Sequence, residues 1–516
     1  MSSRTSVRWQ RWAWRGAAIP AGAAASLVFP EAGWWWFAWI ALVPTFLLVA
    51  HASDARDAAW RSWAAGVGYS LGVFHWVLGV LGPFAPFPII ASGLTWVPVG
   101  LALHFAIGRG RSARPVLGSV LSMLVVPSVW VLTEFVRSWH VFGGSWGLLG
   151  LSQWQVGTVR QLAAVGGVWA LSWLLVVVNV GATISLRGDV ARTARAAALV
   201  APAVLVVATV AWGANRSLPE PDDHLRVAGV QPGRIVGPEL RLTANEDLTD
   251  TLGTPAEDVD LIVWGQSSVG FDLLEDAEVR TRLEDLTTRA GTPLLVNVDD
   301  RRADGRIAKS SVLIDPDAGL VATYDKQRLV PFGEYVPFRS LFGWVDRFTE
   351  AAEEDRLPGG ELTVFDVDGT AVGPLISYES TFSDLRRSLA RLGPDVVVVQ
   401  GASTTFQGSW AQPQQAAYEA IRAVESGRSS MLVAVSGTSA AFDPSGRLLA
   451  WFPSDRTGVI RADLPVSAVD TVYVRWGDWV PVASLLVVMA WLIALVGARR
   501  LPTGARSGDG TGSPHR

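Results

Sequence analysis

Ala194-Arg-Ala-Ala-Ala-Leu-Val-Ala-Pro-Ala-Val-Leu-Val-Val-Ala-Thr-Val-Ala-Trp-Gly213 is where the chain changes character. After Arg195 no charge occurs until Arg216, and an apolar run of roughly 20 residues is what crosses a ~30 Å hydrocarbon core. Beyond it, Leu225-Arg-Val-Ala-Gly-Val230 opens a different texture, of short β-branched runs divided by turn residues. Toward the N-terminus, further runs with little or no charge lie at 16–30, 31–50, 62–82, 87–108, 115–136 and 161–186, and one more follows at 479–498. The pattern predicts a polytopic α-helical membrane domain of about eight spans with a large α/β domain inserted before the last one.

Composition agrees with that division. Half of the 516 residues are apolar and only 17% are charged, too few to cover a soluble surface of this size. Many of the 25 Trp flank the apolar runs, where amphipathic rings favour the headgroup level. A net charge of −4 points to no nucleic-acid partner. The chain has no Cys, which excludes disulfides, thiolate metal sites and any thiol nucleophile. No cofactor or metal site is expected.

Arginine placement predicts the orientation. With the N-terminus in the cytoplasm, the inside loops hold Arg56 and Arg61, then Arg109, Arg111 and Arg114, then Arg187, Arg192 and Arg195, and last Arg499 and Arg500. Every inside segment is then basic, as the positive-inside rule requires. Arg4, Arg8, Arg11 and Arg15 precede the first run, which reads as an uncleaved span. The expected organisation is a membrane domain over 1–213 of about seven spans, an extracytoplasmic domain over 214–472, a last span within 473–500, and a disordered cytoplasmic tail over 501–516, rich in Gly, Ser and Pro.

In the outside domain, strands are expected at Arg226–Val230, Asp260–Trp264, Pro293–Val298, Ser311–Ile314, Val321–Tyr324, Val372–Ser377, Asp395–Gln400 and Met431–Val435. Helices are expected at Val279–Ala290 and Gln414–Glu425. This alternation indicates a layered α/β domain, and the unbroken Val396–Val399 run a strand buried on both faces.

Tyr324-Asp-Lys-Gln-Arg-Leu-Val-Pro-Phe-Gly-Glu-Tyr-Val-Pro-Phe338 closely resembles the lysine-bearing segment of apolipoprotein N-acyltransferases. Phe29–Leu47, Glu134-Phe-Val-Arg137 through Ser145-Trp-Gly147, Gly166–Asn179 and Tyr473-Val-Arg-Trp-Gly-Asp478 resemble other segments of that family in the same order. The resemblance implies a bacterial plasma-membrane protein whose outside domain is a nitrilase-like α/β/β/α sandwich. It also implies a family reaction, acyl transfer from a phospholipid to the N-terminal cysteine amine of a diacylated lipoprotein. A Glu relays protons, a Lys stabilises the oxyanion and a Cys carries the acyl group.

At the family's triad positions this sequence has Gln266, Lys326 and Ser377. Gln266, in Val263-Trp-Gly-Gln-Ser267, replaces the Glu, and an amide cannot take up a proton near neutral pH. Ser377, in Leu375-Ile-Ser-Tyr-Glu379, replaces the thiol, and a hydroxyl needs the very base that the first change removes. Ala402-Ser-Thr-Thr-Phe406 and Gln414-Gln415 stand where the family carries Asn-Asp-x-Trp-Phe and Gln-His. Lys326, Glu334, Tyr378 and Glu379 match, the last three as supporting residues. Two readings stand: a catalytically impaired member that binds lipid or protein, or an enzyme using Ser377 with Lys326. Phospholipid and diacylated lipoprotein are the partners the resemblance implies. Some relatives in high-GC bacteria are coupled to a polyprenyl-phosphate mannosyltransferase, so such an enzyme or an active paralogue is a further expected partner.

Overall fold

The computed structural model describes residues 2–107, 114–221, 223–273, 275–302, 305–343, 355–467 and 469–500. Arg109, Arg111 and the 501–516 tail expected to be disordered lie outside them. The N-terminal part is helical: α1 (Ser2–Ala24), α2 (Val43–Ala50), α3 (Ala55–Phe74), α4 (Val77–Leu81), α5 (Pro86–Gly93), α6 (Val97–Ile107), α7 (Pro115–Arg137), α8 (Gly157–Arg160), α9 (Ala163–Leu186) and α10 (Arg192–Asn215).

Among the described residues, five helical stretches are long and apolar enough to cross a membrane: Pro86–Ile107, Pro115–Arg137, Ala163–Leu186, Arg192–Asn215 and Trp479–Gly497. A sixth counts if α3 and the segment Val77–Phe84, bent by 84°, form one broken span. The first two apolar runs differ from full spans. Arginines occupy much of α1, and the second run contains only the shorter helix Trp35–Ala50. α1 nevertheless joins the bundle through small residues. A Cβ on Gly22 would lie 1.9 Å from the Ala65 carbonyl oxygen, and one on Gly68 the same distance from that of Ile19.

The α/β part has twelve strands: β1 (Asp223–Gln231), β2 (Leu261–Trp264), β3 (Leu294–Arg301), β4 (Ile307–Asp315), β5 (Gly319–Asp325), β6 (Phe365–Val367), β7 (Thr370–Ile376), β8 (Val396–Gly401), β9 (Ser429–Ala434), β10 (Ser439–Phe442), β11 (Leu448–Phe452) and β12 (Gly458–Val466). They form two six-stranded sheets, ordered β12-β1-β2-β3-β4-β5 and β11-β10-β9-β8-β7-β6. The helices are α11 (Pro238–Asp250), α12 (Ala277–Ala290), α13 (Arg339–Phe342), α14 (Ser383–Ala390), α15 (Ala411–Ser426), α16 (Val472–Trp476) and α17 (Trp479–Arg500).

Three apolar layers make this an α/β/β/α sandwich. Leu225, Val227, Val263 and Leu295 of one sheet meet Ile376, Val396, Val398 and Met431 of the other. Leu242, Leu283 and Leu286 of α11 and α12 cover the outer face of the first sheet. Leu385, Leu389, Ala416 and Ala420 of α14 and α15 cover the second, against Val397 and Val399. Val396–Val399 is continuous because alternate residues serve opposite layers.

α15 is buried along its whole length, since its far side enters the membrane helices' core through Ala411, Tyr418, Ile421 and Val424. Where it meets α9, that helix is interrupted: Gly166 and Gly167 leave helical geometry, Gly167 at φ 65°. The Val168 amide, freed by the break, donates to Glu425 Oε1 at 2.7 Å. A carboxylate at a helix start satisfies an orphan donor and favours the local dipole.

Candidate active site

Gln266, Lys326 and Ser377 each follow the C-terminal end of a strand, β2, β5 and β7 respectively. What brings these ends together is Gln400, buried at the end of β8 and paired in register with Ile376. Its Nε2 donates to the carbonyls of Trp264 at 2.8 Å and Leu295 at 3.1 Å, and its Oε1 accepts from Ser311 Oγ at 2.5 Å. Ser311 in turn pairs with Tyr324, two residues before Lys326. One side-chain amide therefore braces the approaches to all three positions.

Gly265 lets β2 come this close. A Cβ there would sit 2.4 Å from the Val435 amide and 2.8 Å from the Gly401 carbonyl oxygen, which instead accepts from the Gln266 amide at 3.0 Å. The Gln266 side chain is largely buried, and among the described residues it makes no hydrogen bond.

Lys326 is fully buried, and its Nζ donates to Glu334 Oε1 at 2.7 Å. The other Glu334 oxygen accepts from the Val330 amide at 2.8 Å, which closes the Val330–Tyr335 loop onto the lysine. Burial pushes the Glu334 carboxyl up, but Lys326 and Lys309 outweigh it and hold it below the usual carboxylate range.

Ser377 begins a tight turn, Ser377–Thr381, with φ at 48°, in the left-handed region that a side chain rarely adopts. Two residues on, Glu379 fixes this turn. Its Oε1 accepts from Tyr324 Oη at 2.8 Å and from the amides of Gln327 at 2.7 Å and Arg328 at 3.1 Å. Its Oε2 accepts from the Ile376 amide at 2.8 Å. Burial drives the Glu379 carboxyl above its usual range against the pull of these donors and of Lys326. The segments bearing Lys326 and Ser377 are thus joined through one carboxyl group. Gln415 Nε2 donates to the Ser377 carbonyl at 3.1 Å, and its Oε1 accepts from Ser403 Oγ at 3.4 Å, so the altered wall residues touch the turn itself. The Ser377 hydroxyl makes no hydrogen bond among the described residues.

Tyr378 points toward the membrane domain. Its Oη donates to the His140 carbonyl at 2.9 Å, and its ring lies against Gly144, where a Cβ would come within 2.9 Å of it. Glu134 and Arg137 do not pair with each other. Glu134 Oε1 accepts from the Leu149 amide, and Arg137 donates to the carbonyls of Trp146 and Gly147, so both shape the loop beneath the site.

Beside Gln266 stands a pair that the sequence reading missed. Lys309 Nζ donates to Asp299 Oδ1 at 2.5 Å and to Ser267 Oγ at 2.7 Å. Burial pushes Asp299 up, and Lys309 more than offsets this, leaving it below the usual range. The available signal was a lysine inside the otherwise uncharged strand Ile307–Ile314. Among the described residues, no cluster of three or more His, Asp or Glu side chains could hold a metal ion.

Residues 21–181 match the family model for the apolipoprotein N-acyltransferase N-terminal domain, and residues 226–473 match that for carbon-nitrogen hydrolase. The two together take in the helical bundle and the sandwich in the order that the fold shows. The chain belongs to the apolipoprotein N-acyltransferase family. It is 28% identical to the apolipoprotein N-acyltransferase of Geobacter metallireducens over 92% of this chain and 94% of that one. It is 29% identical to that of Gloeobacter violaceus, over 95% of each chain. The Pseudomonas aeruginosa acyltransferase is 28% identical, over 96% of this chain and 99% of its own length. Among solved structures, an amidase from Nesterenkonia sp. overlays 49% of the chain and 93% of its own at 20% identity and a TM-score of 0.37.

Proposed function

We propose that this member of the apolipoprotein N-acyltransferase family keeps the acyl-transfer site as a binding site, for phospholipid or a diacylated lipoprotein, and does not carry out the transfer. The observation that carries this reading is the Ser377 hydroxyl, which has no proton acceptor among the described residues. A serine nucleophile needs a base within hydrogen-bond reach. Gln266 is neutral, Glu334 is engaged by Lys326, and both Glu379 oxygens are occupied by donors. Lys326, held in an ion pair, offers no lone pair to the hydroxyl.

One observation favours a serine enzyme: the left-handed Ser377 keeps the strained presentation expected of a nucleophile on a strand-to-turn corner. Complementation of a strain lacking its own acyltransferase decides between the two. The wild-type chain should leave a reporter lipoprotein's N-terminal amine free by mass spectrometry, and Ser377→Ala should change nothing. N-acylation by the wild type that disappears in Ser377→Ala establishes a serine enzyme. A non-catalytic member would act beside a catalyst, either an active paralogue or a polyprenyl-phosphate mannosyltransferase. Co-purification from the native membrane separates these.

We further propose that the sandwich lies outside the plasma membrane of a bacterium and that both termini lie inside. The support is that Arg61 and Arg187 gather at one end of the bundle. Arg61 pairs with Asp57 in the first turn of α3, and Arg187 donates to the Ile107 carbonyl at the end of α6. The other end of α3 leads to the sandwich, through His75 against Trp410 at 4.8 Å. Because there is no native cysteine, single thiols report cleanly. In intact cells, a membrane-impermeant maleimide should label Val236→Cys, on the sandwich surface, and reach Gly188→Cys only after lysis. The reverse pattern overturns the orientation.

A further inference from the structure

A groove lies away from the sandwich, on the outer face of α3 and α5–α6. It is an open groove of about 570 Å³ lined by Trp60, Trp63, Phe87, Ile90, Leu94 and Arg56. That volume is typical of a small-molecule site. The walls are set by more than apolar contact. Trp60 and Trp63 pack edge to face at 5.2 Å, and Trp63 Nε1 donates to the Ile90 carbonyl at 3.2 Å.

The place of the groove along α3 says which leaflet it serves. At 20 residues, α3 spans about 30 Å, close to the hydrocarbon thickness. Its C-terminal end meets the sandwich through His75, and its first turns, with Arg56 and Trp60, form the groove. The opening is therefore in the leaflet opposite the sandwich.

Charge identifies the occupant. Of the four arginines on α1 and α3 whose side chains are described, three have partners: Arg15 and Arg61 pair with Asp57 at 3.0 and 2.7 Å, and Arg11 with Asp54 at 3.8 Å. The Arg56 guanidinium is exposed and has no partner among the described residues, yet it lines an otherwise apolar groove. We propose that the groove holds an acyl chain of an anionic phospholipid from the leaflet opposite the sandwich, with the lipid phosphate on Arg56. This site is separate from the Ser377 region and stands whether or not that region is catalytic.

The test uses the full chain in vesicles of equal parts phosphatidylglycerol and phosphatidylcholine. A photoreactive maleimide is placed on Ile90→Cys, and on Leu486→Cys as a control on the exposed face of α17. Position 486 should capture the two lipids in proportion to their abundance. Position 90 should capture the anionic lipid about fivefold more often, the preference one arginine gives near a charged bilayer surface. Arg56→Gln should bring that ratio down to the control's, and Arg56→Lys should retain most of it. Equal capture at position 90 with Arg56 intact, or an enrichment that survives Arg56→Gln, overturns the proposal and leaves an ordinary lipid-facing surface.

Discussion

Gln266→Glu combined with Ser377→Cys is expected to yield a thioester at position 377, an adduct that the wild-type chain is expected not to form. The double change restores a proton acceptor in a buried position and puts a thiol on the turn that Glu379 ties to the Lys326 segment, where a nearby cation would favour thiolate. General-base catalysis alone contributes about 10²–10⁴-fold, and a thiol far exceeds a hydroxyl as a nucleophile at neutral pH. Each single variant should stay inert: the thiol without its relay, the carboxylate facing a hydroxyl. Such non-additivity is the mark of groups acting as one unit. The measurement is intact-protein mass spectrometry after incubation with phospholipid, followed by transfer to a diacylated peptide. Transfer should be slow, because Ser403 and Gln415 leave the wall around the turn altered. A folded double variant with no adduct would show that those wall positions, and not the triad alone, had silenced the site.

Glu334→Gln should give the largest loss of stability. It leaves the fully buried Lys326 without its counter-charge, and breaking a buried pair from one side costs about 3–5 kcal/mol. For a domain of this size that corresponds to a Tm lowered by about 10 °C. Lys326→Met with Glu334→Leu should return close to the wild-type Tm, since apolar replacement of both partners is often neutral. The double variant also separates two roles of the pair. Unchanged phospholipid and lipopeptide binding would make it a clamp on the Val330–Tyr335 loop. Binding lost at full stability would make it part of the ligand's site.

Sequence reading went furthest where periodicity and length carry the signal. The continuous Val396–Val399 run, the alanines along α15 and the uncharged runs announced elements that the structure contains. It went less far where local composition is mixed. β10 and β11, Ser439–Phe442 and Leu448–Phe452, have no β-branched residues, and β12 alternates Ile460, Ala462 and Leu464 with Arg461 and Asp463, so a search for β-branched runs passes over all three. α1 looked like the start of a span, but its arginines reach far into the helix. At the site, Gln266, Lys326 and Ser377 were found through flanking motifs, and the structure places them after three strand ends. Gln400 and Lys309 escaped because their importance depends on which strands become neighbours. Gln400 touches Trp264, Leu295 and Ser311, all far away in the chain, and no spacing rule links them.

The bond from the Val168 amide to Glu425 has a practical consequence for anyone seeking a water-soluble fragment. Glu425 also accepts from Ser383 at 3.2 Å and pairs with Arg422, which holds the carbonyl of Thr381 at 2.6 Å, within the turn that begins at Ser377. A piece excised at residues 226–473 would lose the broken end of α9 and expose the flank of α15 that carries Tyr418 and Ile421. Its carboxylate would be free to re-pair, and the Ser377 turn would relax with it. The sandwich is in this sense an incomplete body whose missing wall is the membrane bundle. Insertion, deletion or recombination that separated the two halves would loosen the Ser377 turn even if every residue of the sandwich were kept.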